Sequence, residues 1–173
     1  SSSFYVSTAA ASTLVVISEP STTAAGEAFG TQPVVQIQDA YGNVITSSSA
    51  SVTASITADT GTSGAILSGS TTVSASKGVA TFSGLSIDKA GSGYTLTLSS
   101  TGLTSAVTSE FSILSASASA LAFSVQPTGG TAAETSALSP TVVITDSLGN
   151  VVTDASSDIT LAITSGTGGS SAE

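Results

Sequence analysis

Four carboxylates stand out because they recur at a fixed interval. Asp39 and Asp146 each open the same Asp-x-x-Gly-Asn-Val turn, and Glu27 and Glu134 recur with the same separation. Oxygen ligands gathered from such a turn, or from a junction between two such units, could hold Ca²⁺. Asp39, Asp146, Glu27 and Glu134 are therefore the candidate metal ligands, and calcium is the one candidate cofactor. The competing use of an Asp at this place is local: its side chain accepts hydrogen bonds from its own turn and shapes it. A calcium site wants six or more oxygens, and the chain has no Asp-x-Asp-x-Asp run to supply them.

Other site chemistry is excluded by residue type. The chain contains no His and no Cys. That rules out Ser-His-Asp and Cys-His nucleophiles, His/Cys zinc sites and disulfides. Glycine-rich pieces such as Gly166-Thr-Gly-Gly169 are not followed by Lys, so no phosphate-binding loop is present. An internal Lys–Asn isopeptide bond would need Lys77 or Lys89 beside Asn43, and both lysines fall in expected turns or loops. The expectation is a protein that is not an enzyme, with no catalytic and no cofactor-binding residues.

Charge narrows the partners. Two Lys stand against 11 acidic residues, for a net charge of −9. Nucleic-acid binding and adhesion to an anionic membrane both need a Lys/Arg surface, which this composition denies. No apolar run is long enough for a membrane helix, so no membrane insertion is expected in this segment. The two lysines, 40% apolar residues and a Ser/Thr-rich remainder read as folded modules with a polar, acidic skin.

The elements that position these residues come from a repeat. Shifting the sequence by 107 positions lays residues 4–63 over 111–170 without a gap, with 23 identities in 60 pairs. A gapless period of this length suits one whole β-sandwich module. The phase predicts that residues 1–10 are the final strand of a preceding module. Residues 11–115 are then a complete module, and 116–173 the first half of a second, in an excerpt of a longer array. The linker Ser115-Ala-Ser-Ala-Ser-Ala120 lacks Gly and Pro and is expected to hold neighbours end to end.

Within the complete module the pattern has period two. Val35 and Ile37 alternate with Gln36 and Gln38, and Val52, Ala54 and Ile56 alternate with Thr53, Ser55 and Thr57. Tyr94, Leu96 and Leu98 share a face, as do Phe111 and Ile113. Ser76-Lys-Gly78 is expected to turn a hairpin between strands near 71–75 and 79–83. About seven strands in 100 residues predict an all-β protein of tandem immunoglobulin-like sandwiches. Tyr94, after Gly91 and Gly93, stands where such a sandwich places a tyrosine whose hydroxyl bonds back to upstream backbone.

Four motifs in order carry a resemblance: Pro33-Val-Val-Gln-Ile-Gln-Asp-Ala-Tyr-Gly-Asn-Val44, Ser51-Val-Thr-Ala-Ser-Ile56, Lys77-Gly-Val-Ala-Thr-Phe82 and Gly91-Ser-Gly-Tyr-Thr-Leu96. They resemble the tandem bacterial Ig-like repeats of large surface proteins, similar to those of the invasin and intimin adhesins. The resemblance implies an extracellular, cell-surface location and a structural role in a stalk, filament or surface layer (S-layer). The partners it implies are neighbouring modules of the same protein, in a homo-polymer or surface array. The alternatives are an adhesin module that binds a glycan or host protein through its loops, or an Ig-like decoration on a phage particle. Tyr41 is the one aromatic suited to such a loop, and Leu148 replaces it in the second copy.

Overall fold

The computed structural model describes residues 7–127 and 139–162. Every regular element in them is a β-strand, and none of their segments is a helix long and apolar enough to cross a membrane. In chain order the strands are β1 (Ala11–Ser18), β2 (Thr23–Ala24), β3 (Val34–Asp39), β4 (Ser51–Ile56), β5 (Leu67–Ser68), β6 (Thr72–Ser74) and β7 (Val79–Thr81). There follow β8 (Ser86–Ile87), β9 (Gly91–Tyr94), β10 (Leu96–Ser99), β11 (Ala106–Val107), β12 (Phe111–Leu114), β13 (Ala120–Val125) and β14 (Thr141–Thr145).

The alternation seen in the sequence becomes the inside and outside of a sandwich. One sheet has the order β1-β3-β7 and another the order β11-β10-β4-β6. Val35, Ile37 and Ala80 of the first, and Val52, Ala54, Leu96 and Leu98 of the second, are buried in one apolar cluster. Full burial of such a side chain contributes about 1.5–3 kcal/mol each, which is why the two faces close on each other. A third sheet, β2-β12-β9, continues the wall with Tyr94, Phe111 and Ile113. Phe111 meets Phe29 edge-on at 5.4 Å and Tyr94 at 6.0 Å, so aromatics close one region of a core otherwise built from aliphatics.

The sheets are more broken than seven continuous strands. β9 and β10 are one run interrupted at Thr95, with β9 pairing β12 and β10 pairing β4, so the chain passes from one sheet to another. β1 pairs β3 yet also bridges Thr13 to Thr104, tying one sheet to the other's edge. The 76–79 turn also differs from the expectation. Lys77 and Gly78 both take positive φ (51° and 77°), as a tight two-residue turn demands, and Ser76 and Val79 exchange both backbone bonds. Pairing stops at that bridge: β6 goes to β4 and β7 to β3. The turn is therefore a crossing between sheets, because Val73 and Ala80 must face the same core from opposite walls.

The expected tyrosine contact is present. Tyr94 is fully buried, and its hydroxyl donates to the carbonyl of Lys89 at 2.8 Å. The ring lies against Gly61, where φ is +64° and a Cβ would come within 2.2 Å of it.

Residues beyond 115 repeat the opening of the module. β13 and β14 pair antiparallel, with Leu121 opposite Ile144, as Leu14 lies opposite Ile37 in β1 and β3. The environments differ sharply: Leu14 is 3% exposed and Leu121 is 58% exposed. Val52 and Ala54 are buried, whereas their counterparts Ile159 and Leu161 are exposed. The apolar face of β13 and β14 is thus a core face without an opposing sheet among the described residues. Of the strand expected at 1–10, residues 1–6 lie outside the described residues and 7–10 are not in a strand.

Candidate functional site: the turn at the module junction

The Asp39 turn is built by its own carboxylate. Oδ1 accepts the amide N–H of Tyr41 and of Asn43, both at 2.9 Å, and the Asn43 side-chain amide reaches Oδ1 at 3.2 Å and Oδ2 at 3.1 Å. Oδ2 also accepts the N–H of Ala9 at 3.0 Å. Gly42, at φ +84°, closes the turn by donating to the Asp39 carbonyl. Burial alone would raise the carboxyl pKa. The hydrogen bonds from the Asn43 side chain and from the amides of Asn43, Ala9 and Tyr41 outweigh it, lowering the pKa from 3.8 to about 2.

The second turn repeats the amide bonds of the first. Asp146 accepts from the amides of Leu148 and Asn150 on Oδ1 and from Ala116 on Oδ2, each at 2.9 Å. Gly149 sits at φ +83°. Burial opposes the ionised form of Asp146 too, and the bonds from Asn150, Ala116 and Leu148 overcome it, so its pKa is also lowered. Ala9 and Ala116 are 107 positions apart, as are the two aspartates. The carboxylate thus anchors both its turn and the chain segment that leads into the unit.

The turn of 146–151 then does something its first copy does not. Asn150 Oδ1 accepts the amide N–H of Ala90 at 2.9 Å, and its Nδ2 donates to the carbonyl of Asp88 at 3.0 Å. The same Nδ2 donates to Asp146 Oδ2 at 2.9 Å, which fixes the amide's orientation. One side-chain amide thereby reads a carbonyl and an N–H two residues apart, as a paired strand would. Beside it, Leu148 Cδ1 lies against Gly26, where a Cβ would come within 2.9 Å of it. The segment leading into the second unit is pinned to that unit, with Ser119 donating its N–H to the Thr145 carbonyl at 2.8 Å. An open crevice of about 1360 Å³ runs along this junction, lined by residues that include Lys89, Ala90, Leu148 and Asn150.

The four acidic candidates fall in different settings. Asp39 and Asp146 are buried, each inside its own turn, and N–H donors occupy the oxygens that a cation would need. Glu27 is exposed in the turn after β2, one residue from the junction glycine Gly26. Glu134 lies outside the described residues. No three Asp, Glu, His or Cys side chains gather as a metal site among the described residues. Of the two lysines, Lys89 donates to the Ser63 carbonyl at 3.1 Å and Lys77 is exposed in its turn, while the Asn43 amide is bound to Asp39.

The pairing of Asn150 and Leu148 with Gly26, Asp88 and Ala90 was not foreseen from sequence. The signal available was the repeated Gly-Asn pair, but each turn already uses its Asn amide on its own aspartate, so the pair did not point to a further contact.

No family model matches the chain, and no curated protein matches it. Among solved structures, a β-glucuronidase from Parabacteroides merdae is similar at 21% identity and a TM-score of 0.42, over 61% of this chain and 12% of that one. A β-glycosidase from Bacteroides vulgatus is similar at 15% identity and a TM-score of 0.47, over 63% and 15%. A glycosyl hydrolase family 2 member from Bacteroides cellulosilyticus is similar at 13% identity and a TM-score of 0.44, over 62% and 15%. The chain matches only a small part of the length of each enzyme. These are weak likenesses of β-structure, and no activity is carried over from them.

Proposed function

We infer that this chain is a non-enzymatic structural segment in which Ig-like sandwiches are coupled end to end. The carrying observation is the two-point bond of Asn150 to the backbone of residues 88–90, which fastens the second unit to the first. A side chain that spends both its donor and its acceptor on a neighbouring unit restricts the angle between them, and the pinned linker restricts it further. Restricted angles repeated along an array give an extended rod. An extracellular stalk, filament or surface layer, of the kind built from invasin- and intimin-like repeats, is the setting that such a rod and its acidic Ser/Thr surface suit. Its partners are neighbouring modules of the same protein, in a homo-polymer or surface array.

The second reading is an adhesin module, and exposed Tyr41 is the observation that favours it: at 83% exposure it is an aromatic on a loop, as binding sites use. Small-angle scattering on the chain and on Asn150→Ala separates the two. A rigid, extended particle that becomes flexible in the variant supports the structural reading. A parent chain whose units already tumble independently sinks it, and saturable binding to a glycan array lost in Tyr41→Ser would favour the adhesin.

A further inference from the structure

Asn43 and Tyr41 occupy in the first unit the places that Asn150 and Leu148 occupy in the second. The turns that carry them are the same in every backbone bond and in the carboxylate that organises them. Asp39 takes the Asn43 Nδ2, as Asp146 takes that of Asn150, and no donor among the described residues reaches Asn43 Oδ1. Ala9 binds Asp39 as Ala116 binds Asp146, so the chain enters the first unit along the path by which the linker enters the second. What differs is cover. Asn43 is exposed where Asn150 is half-buried, and Tyr41 stands 83% exposed where Leu148, against Gly26, is 50% exposed.

We propose that Tyr41 and Asn43 form a docking surface for a second copy of the 11–114 unit, which would present its residues 88–90 to the Asn43 amide and its Gly26 to the Tyr41 ring. This rests on the reading of the chain as coupled modules and extends it: the first unit carries both halves of the joint, a Gly26/88–90 socket and a Tyr41/Asn43 plug. The exposed tyrosine is then a joint residue.

The test extends the chain upstream with its own residues 1–110 placed directly before Phe4, which keeps the 107-residue period. This makes two joints in one molecule: the new one uses Tyr41 and Asn43, the old one Leu148 and Asn150. The absence of Cys allows clean spin-label pairs. Thr101 of the upstream copy with Thr46 of the downstream copy reports the new joint. Thr101 of the downstream copy with Thr153 reports the old one, and all three positions are exposed turn or loop residues. The expected result is two narrow distance distributions with the same centre. Asn43→Ala or Tyr41→Ser in the downstream copy should broaden only the first, towards the spread of a free linker, on the order of 10 Å for about four residues. Tyr41→Ser guards against loss of folding, since that side chain is exposed. A broad new joint beside a narrow old one overturns this proposal and leaves the coupled-module reading standing. Two broad joints overturn both. A narrow new joint indifferent to both variants overturns the assignment to Tyr41 and Asn43.

Discussion

Asn150 and Ala90, sixty positions apart, meet through a single hydrogen bond of 2.9 Å from the Ala90 amide to the Asn150 side-chain oxygen. The same side chain donates to Asp88, so the pair of bonds requires a group with one acceptor and one donor side by side. Asp supplies no donor and Leu neither function. This residue is used twice, by the aspartate of its own turn and by the backbone of another unit.

Asn150→Ala should therefore loosen the junction with little effect on the sandwich core. The Ala90 amide should lose protection from hydrogen exchange by about tenfold, equivalent to roughly 1.4 kcal/mol, the scale of one or two net hydrogen bonds. Asn150→Asp should act at least as strongly, because a carboxylate would face the Asp88 carbonyl. Exchange measured across residues 86–95 checks both, and unchanged protection would contradict the assigned bonds.

The Asp39 and Asp146 carboxyls make the protein's stability depend on acid. Their folded pKa values lie below the unfolded value of 3.8, with Asp39 at about 2. A depressed pKa means that the stabilising contribution is fully present above about pH 4 and is lost as pH falls through about 2. Melting temperature should fall across that window. Asp39→Asn should be less stable at neutral pH and should show a shallower decline from pH 4 to 2: its carbonyl oxygen can still accept from Tyr41 and Asn43, but its NH2 would confront the N–H of Ala9 and the Asn43 side-chain amide. A parallel decline in parent and variant would refute the role given to this carboxylate.

Chelation should leave the molecule unchanged. Because N–H donors already fill the Asp39 and Asp146 oxygens, melting temperatures with EDTA and with millimolar CaCl₂ should coincide. A calcium-dependent rise would show that the turns rearrange to bind the ion.

Tyr94→Phe should cost about 1–2 kcal/mol by denaturant titration, because it removes the 2.8 Å bond and leaves the Lys89 carbonyl with one partner fewer. Gly61→Ala should cost more, about 2 kcal/mol or above. Its methyl would meet the Tyr94 ring and its φ of +64° strains any L side chain. Equal stabilities for parent and Gly61→Ala would mean that the ring is free to move away.

The all-β class, the core faces and the turn positions were legible in the sequence because each depends on neighbours in the chain. Alternation at Val35 and Ile37, or at Tyr94, Leu96 and Leu98, states which side of a strand is apolar, whatever that side later meets. The gapless 107-residue shift likewise showed that Asp39 and Asp146 share one role. It did not say which role, since a carboxylate before a Gly-Asn turn can anchor its own turn or serve as a calcium ligand. Tertiary structure shows the local role, setting N–H donors from residues 9, 41 and 43 around Asp39. It also decided that the strands on either side of the 76–79 turn part company, because hairpin chemistry at Lys77-Gly78 is local while sheet membership is a competition among distant partners. The joint of Asn150 with Asp88 and Ala90 lay furthest from sequence. It pairs a side chain with main-chain atoms, and main-chain atoms are the same in every residue, so only their placement in space makes these two a site.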